Sequence, residues 1–247
     1  PSIRATTGFA AARSIKALCR VSPPTTVPPG LFIPVAEATG QIIDIGRCVL
    51  RQACHDMKQI VEHLGRPITL AVNISPVHFR RSSFFSEIQG ALEDSGLSPS
   101  CLELEVTEGV LMSAAEKALE QVQALRNLGV KVAIDDFGTG YSSLSYVRRL
   151  PIDRVKVDAS FLQGIEQDKV SFNLVKTISE MCENLNLQCI LEGVETQNQI
   201  ELLNDIGCTA YQGYLFARPM PPDTLEAWRQ KNAAVELPKS AQRHSVA

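Results

Sequence analysis

From residue 68 onward the chain alternates between short apolar runs and longer segments with helical spacing, and each apolar run ends on a polar residue. That alternation constrains the fold more than any other feature. Short continuous apolar runs suit strands buried on both faces, and amphipathic segments between them suit crossovers that make successive strands parallel. The pattern predicts strands over residues 68–74, 101–106, 130–134, 154–157, 188–191 and 209–212. It predicts helices over 84–95, 114–128, 142–150, 170–185, 197–206 and 223–232, with Gly129 and Gly207 closing two of them. Ahead of these, Ile42, Ile45, Val49, Ala53, Met57, Ile60 and Leu64 recur at threes and fours, so one long helix is expected over 34–64, stopped by Gly65-Arg66-Pro67. A short strand is expected over 15–21. Together these make roughly eight strand–helix units, which favours a closed α/β barrel of (β/α)8 type over an open sheet.

The polar residues at the strand ends are Asn73, Glu105, Asp135 with Asp136, Lys156, Glu192 and Gln212. In a parallel barrel every strand delivers its C-terminal end to the same face, so all of them are expected at one mouth. The adjacent acids Asp135 and Asp136, followed by Phe137-Gly138-Thr139-Gly140, read by themselves equally well as a turn punctuated by glycine. As part of the series they read as cation ligands. Carboxylates and a carboxamide, without His or Cys, are hard oxygen donors that suit Mg²⁺ or Mn²⁺ rather than Zn²⁺. Two such ions about 3.5–4 Å apart would activate a water and stabilise a leaving oxygen in phosphoester hydrolysis. Lys156 would hold or deprotonate that water, or neutralise a phosphate oxygen; its plainer role is a salt bridge tying the acids together.

The 247 residues and 45% hydrophobic content suit one barrel, and the formal net charge of −3 argues against a groove for polymeric nucleic acid. The seven cysteines contain no C-x-x-C pair and sit largely in apolar runs, so free thiols in a reducing compartment are expected. The four histidines show no metal-ligand spacing, and no apolar run is long enough to span a bilayer. The chain starts at Pro1 without Met, and an excised piece of a longer protein is expected. Residues 1–36 contain no Asp or Glu; the first acid is Glu37.

Asn73 in Val-Asn-Ile-Ser, Glu105 in Glu-Val-Thr-Glu, Asp135-Asp136-Phe-Gly-Thr-Gly-Tyr-Ser-Ser-Leu, Lys156 in Val-Lys-Val-Asp, Glu192 in Glu-Gly-Val-Glu and Gln212 in Tyr-Gln-Gly-Tyr-Leu-Phe resemble, in order, the motifs of the EAL domain family. Those are bacterial phosphodiesterases that open cyclic di-GMP to linear pGpG with Mg²⁺ or Mn²⁺. The match runs from about residue 32 to 221. The resemblance implies a TIM-like barrel whose first strand runs antiparallel, here truncated or divergent, over residues 1–235 with a polar tail at 236–247. It implies that Asn73, Glu105 and Asp135 bind one metal, and Asp135 with Asp136 a second. Lys156 and Glu192 would handle the nucleophilic water, Gln212 would support them, and Glu108 would anchor the loop at 137–143. A cytoplasmic bacterial setting, a homodimer, and upstream sensor or GGDEF domains are also implied.

The name motif of the family, Glu-Ala-Leu followed by Leu-Arg-Trp, is missing. Aligning Lys16-Ala17-Leu18-Cys19-Arg20 on it puts Lys16 at the Glu position; an ungapped alignment puts Ser14 there. Neither is an acid, so the first metal lacks one carboxylate and reduced hydrolysis is expected. In the first register Arg20 matches the Arg that meets the ligand's phosphate. An error in the upstream reading frame is one explanation of this acid-free stretch. Three readings follow: an impaired cyclic di-GMP phosphodiesterase; a degenerate domain that binds cyclic di-GMP, or only GTP or a partner protein, and signals by conformation; or a broken barrel that binds nothing. Tyr214, Phe216 and Pro219 would pack on a guanine base or in the core. Phe79, Arg80 and Arg81 would form a phosphate patch or a solvated loop. The segment 138–143 lacks the spacing of a Rossmann loop.

Overall fold

Glycines set where the helices of the N-terminal part begin and end. In the computed structural model, which describes residues 27–113, 115–140, 144–218 and 220, helix α1 (Pro29–Thr39) starts with a proline in its first turn and closes on Gly40 in the left-handed conformation. Helix α2 (Ile42–Leu64) follows at once and closes on Gly65, whose N–H donates to the carbonyls of Val61 and Glu62. The single helix expected over 34–64 is therefore two. Gly40, at φ 78°, supplies a left-handed residue that ends α1 before the periodic run of α2 begins. The strand expected over 15–21, the helix expected over 223–232, and Ser14, Lys16, Arg20 and Pro219 lie outside the described residues.

The described residues fall into two compact units that divide after Arg154. In the first, β1 (Leu70–Ile74), β2 (Leu102–Thr107) and β3 (Lys131–Phe137) pair in parallel, with Asn73 opposite Glu105 and Thr107 opposite Asp135. Between the strands lie α3 (Pro76–Phe79), α4 (Phe84–Ser95), a 3-10 turn (Pro99–Cys101), α5 (Glu108–Ser113) and α6 (Ala115–Leu128). The strand alternation separates two environments. Leu102, Leu104 and Val106 are buried on one face of β2, while Glu103, Glu105 and Thr107 share the other. Helix α4 buries Phe84, Ile88, Ala91 and Leu92, one helical stripe, and packs beside α2. Residues 144–147 form a short α7 (Leu144–Val147), shorter than the helix expected over 142–150.

Buried charge fastens this unit. Arg154 NH1 donates to Glu103 Oε2 at 2.5 Å, and the backbone N–H groups of Asp153 and Val132 donate to the Val132 carbonyl and Asp153 Oδ2 at 2.9 and 3.0 Å. Beside α2, His78 is buried with its Nε2 2.7 Å from Glu87 Oε2, and Glu87 Oε1 accepts from Arg47 at 2.6 Å. Gly46 makes room for this: a Cβ there would lie 2.5 Å from His78 Nδ1. The hydrogen bond from Arg47, against the opposing effect of burial and with help from Ser83 and His78, holds the Glu87 carboxyl down at about 2.

In the second unit, β4 (Arg154–Val157, with Val155 onward in this unit) lies beside β5 (Gln188–Leu191), the Glu192 N–H donating to the Val157 carbonyl at 3.1 Å. A 3-10 turn (Ala159–Leu162) and α8 (Lys169–Asn184) connect them, with Asp168 capping α8 through the N–H groups of Val170 and Ser171. Helix α9 (Gln197–Asp205) opens on a capping box between Thr196 and Gln199. The strand expected over 209–212 is reduced to a single parallel bridge between Leu191 and Tyr211. Gly213 is why the chain turns there: a Cβ on it would lie 2.0 Å from the Val194 carbonyl oxygen and 2.3 Å from the Val194 nitrogen. Val157, Leu162, Val175, Leu191, Val194 and Tyr211 belong to the core of this unit.

Two outcomes follow. Because the Glu87 carboxyl titrates near 2 when folded and near 4.5 otherwise, its contribution is complete above pH 4.5 and is lost as the pH falls through 2. Urea titrations of the wild type should show stability falling over that window, and Glu87→Gln should flatten the dependence and cost about 1–3 kcal/mol at neutral pH. Gly213→Ala should cost about 3 kcal/mol or more in the same assay, since the atoms it meets are backbone and cannot swing aside.

Candidate active site

Strand β3 does not stop before its acids, as the sequence pattern suggested, but runs through them to Phe137. Asp135 keeps the strand's alternation and is buried among the side chains of the inner face. Asp136 breaks it: its φ is 53°, in the left-handed region that a residue other than glycine rarely adopts. Holding it there costs about 1–3 kcal/mol, and the Thr139 N–H and hydroxyl secure the turn by donating to the Asp136 carbonyl at 3.3 and 2.9 Å. The consequence is that two consecutive carboxylates serve one region, with ligand oxygens within 4.8 Å of each other, where a regular strand would send them to opposite faces.

The parallel register brings in the neighbours. The Asn73 amide sits 2.8 Å from Asp135 Oδ2 and 3.1 Å from Glu105 Oε2. With its nitrogen turned toward them, Asn73 donates to both carboxylates; with its oxygen turned toward them, three oxygens converge. Glu105 is 2% exposed and Asp135 9%, so this concentration of negative charge is largely shielded from water. Such a donor set fits a hard divalent cation, which would replace the amide hydrogens as the positive partner.

Glu108 opens α5 just above β2 and is 5% exposed. Its Oε2 accepts from the Gly138 N–H at 3.4 Å, and among the described residues Oε1 accepts no hydrogen bond. A Cβ on Gly140 would lie 3.7 Å from Glu108 Oε2, so the loop after β3 passes close to this carboxylate. Residues 141–143 of that loop lie outside the described residues. Phe79 is buried, and Arg80 and Arg81 after it are exposed.

In the second unit, Lys156 occupies the middle of β4 with 3% of its side chain exposed, and its Nζ lies 2.6 Å from Glu192 Oε1. A buried ammonium is stable only with such a partner. Glu192, directly after β5, is positioned by its backbone: its N–H donates to the Val157 carbonyl of β4, and the next residue, Gly193, adopts φ 76° with Ala159 close enough that a Cβ would lie 2.4 Å from the Ala159 Cβ. Gln212 is fixed by its backbone, whose N–H donates to Leu191 at 2.8 Å and whose carbonyl accepts from Val194 at 3.0 Å. Tyr214 is exposed, with the Arg218 guanidinium 4.7 Å from its ring centre, while Phe216 packs on the core.

The structure thus brings Asn73, Glu105, Asp135 and Asp136 together in one unit, and Lys156 with Glu192 and Gln212 in the other. The sequence reading missed the pair Glu103–Arg154, which braces β2 two residues before Glu105. Its signal was present as a charged residue inside an otherwise apolar run.

Comparison with known proteins agrees with these motifs. The EAL domain family model matches residues 10–219. The cyclic di-GMP phosphodiesterase NbdA of Pseudomonas aeruginosa is 42% identical over 86% of this chain, and the chain covers 27% of that protein. The cyclic di-GMP phosphodiesterase PdeR of Escherichia coli is 37% identical over 89% of the chain, which covers 33% of it. The chain therefore spans a third or less of these two relatives. Among solved structures, the PaMucR phosphodiesterase in complex with c-di-GMP superposes with a TM-score of 0.79 at 40% identity, covering 83% of both chains. The EAL domain of Mycobacterium smegmatis DcpA gives a TM-score of 0.71 at 35% identity, covering 75% of this chain and 84% of that one. On the family match, the identities and the shared architecture, this chain belongs to the EAL domain family and has its TIM-like (β/α)8 barrel fold.

Proposed function

We propose that this chain is a cyclic di-GMP phosphodiesterase domain of reduced turnover, which opens one phosphodiester of the ring to give linear pGpG. The observation that carries this reading is the convergence of the Asn73 amide on the buried carboxylates of Glu105 and Asp135, in a chain homologous to cyclic di-GMP phosphodiesterases. Asn73, Glu105 and Asp135 would hold one Mg²⁺ or Mn²⁺, and Asp135 with Asp136 a second. Bound there, the ions supply a polarised phosphate and a water of lowered pKa.

The chain's own residues do the rest. Glu192 accepts a hydrogen bond from the attacking water and orients a lone pair on phosphorus. Lys156 holds Glu192 in place through their ion pair, and Gln212 steadies the adjoining strand end through its backbone. Glu108 holds the loop that starts at Phe137 over the acids. Tyr214 is an exposed aromatic face on which a base can stack. Arg20 and Pro219 belong to the same proposed ligand contacts. Turnover is reduced because residues 1–36 supply no carboxylate for the first ion, whether Lys16 or Ser14 takes that place.

A second reading is favoured by that same missing acid: a domain that holds cyclic di-GMP without cleaving it. Incubation with cyclic di-GMP and Mn²⁺ separates the two. Linear product above that of a Glu105→Gln control supports the enzyme; binding in Ca²⁺ by calorimetry with no product in Mn²⁺ supports the receptor. Restoring the acid is the complementary test. Lys16→Glu or Ser14→Glu should raise turnover roughly 10- to 100-fold, the scale on which metal-site supports act. No gain from either change would place the defect elsewhere.

A further inference from the structure

Beneath the acid cluster, the same strand face carries a second set of charges. The parallel register sets Ala71, Glu103 and Lys131 abreast on β1, β2 and β3, one layer before Asn73, Glu105 and Ala133. Glu103 is as deeply buried as Glu105, each with 2% of its surface exposed. Arg154, the last residue of the first unit, reaches past β3 and places Nη1 2.5 Å from Glu103 Oε2. Its own side chain is 15% exposed. Lys131, half-buried, stands opposite Glu103 in the register. Among these residues the layer holds one carboxylate and two cations.

Fastening alone does not account for charge at this place. An apolar pair of similar volume often stabilises a buried position as well as an ion pair does, because both ions must be stripped of water. An apolar pair cannot, however, set the electric field around it. Residues two apart on a strand are separated by about 6.6–6.8 Å. At that range, away from water, a unit charge acts strongly on an ion held in the next layer. Arg154 and Lys131 by themselves would repel a divalent cation from Glu105 and Asp135. Glu103 cancels one of those two charges, and it does so two residues from Glu105 on the same face of β2.

We propose that Glu103 supports the metal centre from one layer below. By neutralising Arg154, it lets that arginine tie β4 to β2 without lowering the affinity of Glu105 and Asp135 for a divalent cation. The inference rests on the reading of the acid cluster as a metal site, and it adds to that site a residue that is not itself a ligand.

The test measures Mn²⁺ binding to the full chain by electron paramagnetic resonance, without cyclic di-GMP, alongside urea unfolding. Glu103→Gln should weaken Mn²⁺ binding roughly 10- to 100-fold, the range over which the outer supports of metal ligands act. The double variant Glu103→Gln/Arg154→Met should recover most of that loss, because it restores the charge balance of the layer although the ion pair is gone. Arg154→Lys keeps the charge and loses the guanidinium fork, so it should cost stability and leave Mn²⁺ affinity near that of the wild type. Glu93→Gln, at an exposed acid on α4, should leave the affinity unchanged. A folded Glu103→Gln chain that binds Mn²⁺ as the wild type does would overturn the proposal. So would a double variant that binds no better than Glu103→Gln, since the pair would then act only as a fastening. Where Glu103→Gln does not fold, Arg154→Lys decides: affinity retained at full charge supports the proposal, and affinity lost overturns it. Wild-type binding that Glu105→Gln leaves unaltered would overturn the reading of the acid cluster itself, and this inference with it.

Discussion

Mutual repulsion of acids organises the first unit. Glu105 and Asp135 are withdrawn from water on adjacent strands, and at the short separations enforced by the register two such charges oppose each other by a few kcal/mol even at an effective dielectric near 20. With its nitrogen turned toward them, the Asn73 amide offsets part of that through two hydrogen bonds. A neutral amide is a weak answer to two carboxylates, whereas a dication is a strong one. The arrangement is therefore stable enough to fold and more stable with a cation bound, which is the condition for a metal site that loads after folding. Asp136 adds to the same demand. Its left-handed backbone is a local cost with no packing gain, since the side chain is exposed, and bringing a second carboxylate beside Asp135 is what that conformation accomplishes.

The second unit solves the opposite problem. Lys156 is a buried cation, and the Glu192 carboxylate is its counter-charge. Two glycines make that contact possible from the backbone side. Gly193 lets the chain pass against Ala159 directly after Glu192, and Gly213 lets the 211–216 segment fold back on Val194. Each glycine adjoins a polar residue named in the proposed function, Gly193 after Glu192 and Gly213 after Gln212, and lets the backbone there pass close to its neighbour. Placement of Lys156, Glu192 and Gln212 in this unit is thus a property of close backbone approach, while placement of Asn73, Glu105 and Asp135 in the first is a property of register.

That difference explains how much could be read from the sequence. The strand–helix alternation gave β4 and β5 and helix α4 at their observed limits, because a short apolar run and a helical stripe are each set by local spacing. The polar strand ends were legible for the same reason. What spacing does not encode is handedness and closure. Gly40 lies just ahead of the apolar period that starts at Ile42, inside the segment read as one helix, so two helices read as one. That the chain can turn at the acids so that both reach one site was legible; that the turn falls within the strand, at Asp136 secured by Thr139, was not, so the acids read as following the strand. The last strand read as regular because nothing in its composition shows that Gly213 turns it away after one bridge.

On the proposed function, the lack of any acid in residues 1–36 acquires a physical sense against this background. The first unit is braced independently of its acid cluster, by Glu103 with Arg154, by Asp153 with Val132, and by His78, Glu87 and Arg47. None of these contacts involves residues 1–26. A carboxylate removed from the cluster therefore takes away repulsion without unfastening the strands that present Asn73, Glu105 and Asp135. Under the proposed function such a change would favour the cation-free fold and disfavour the cation, so stability and metal affinity would move in opposite directions. A chain under selection only to fold, or only to hold a ligand, meets no penalty for such a loss. One that must cleave its ligand meets the full penalty, because the ion is the part of the chemistry that no other side chain replaces.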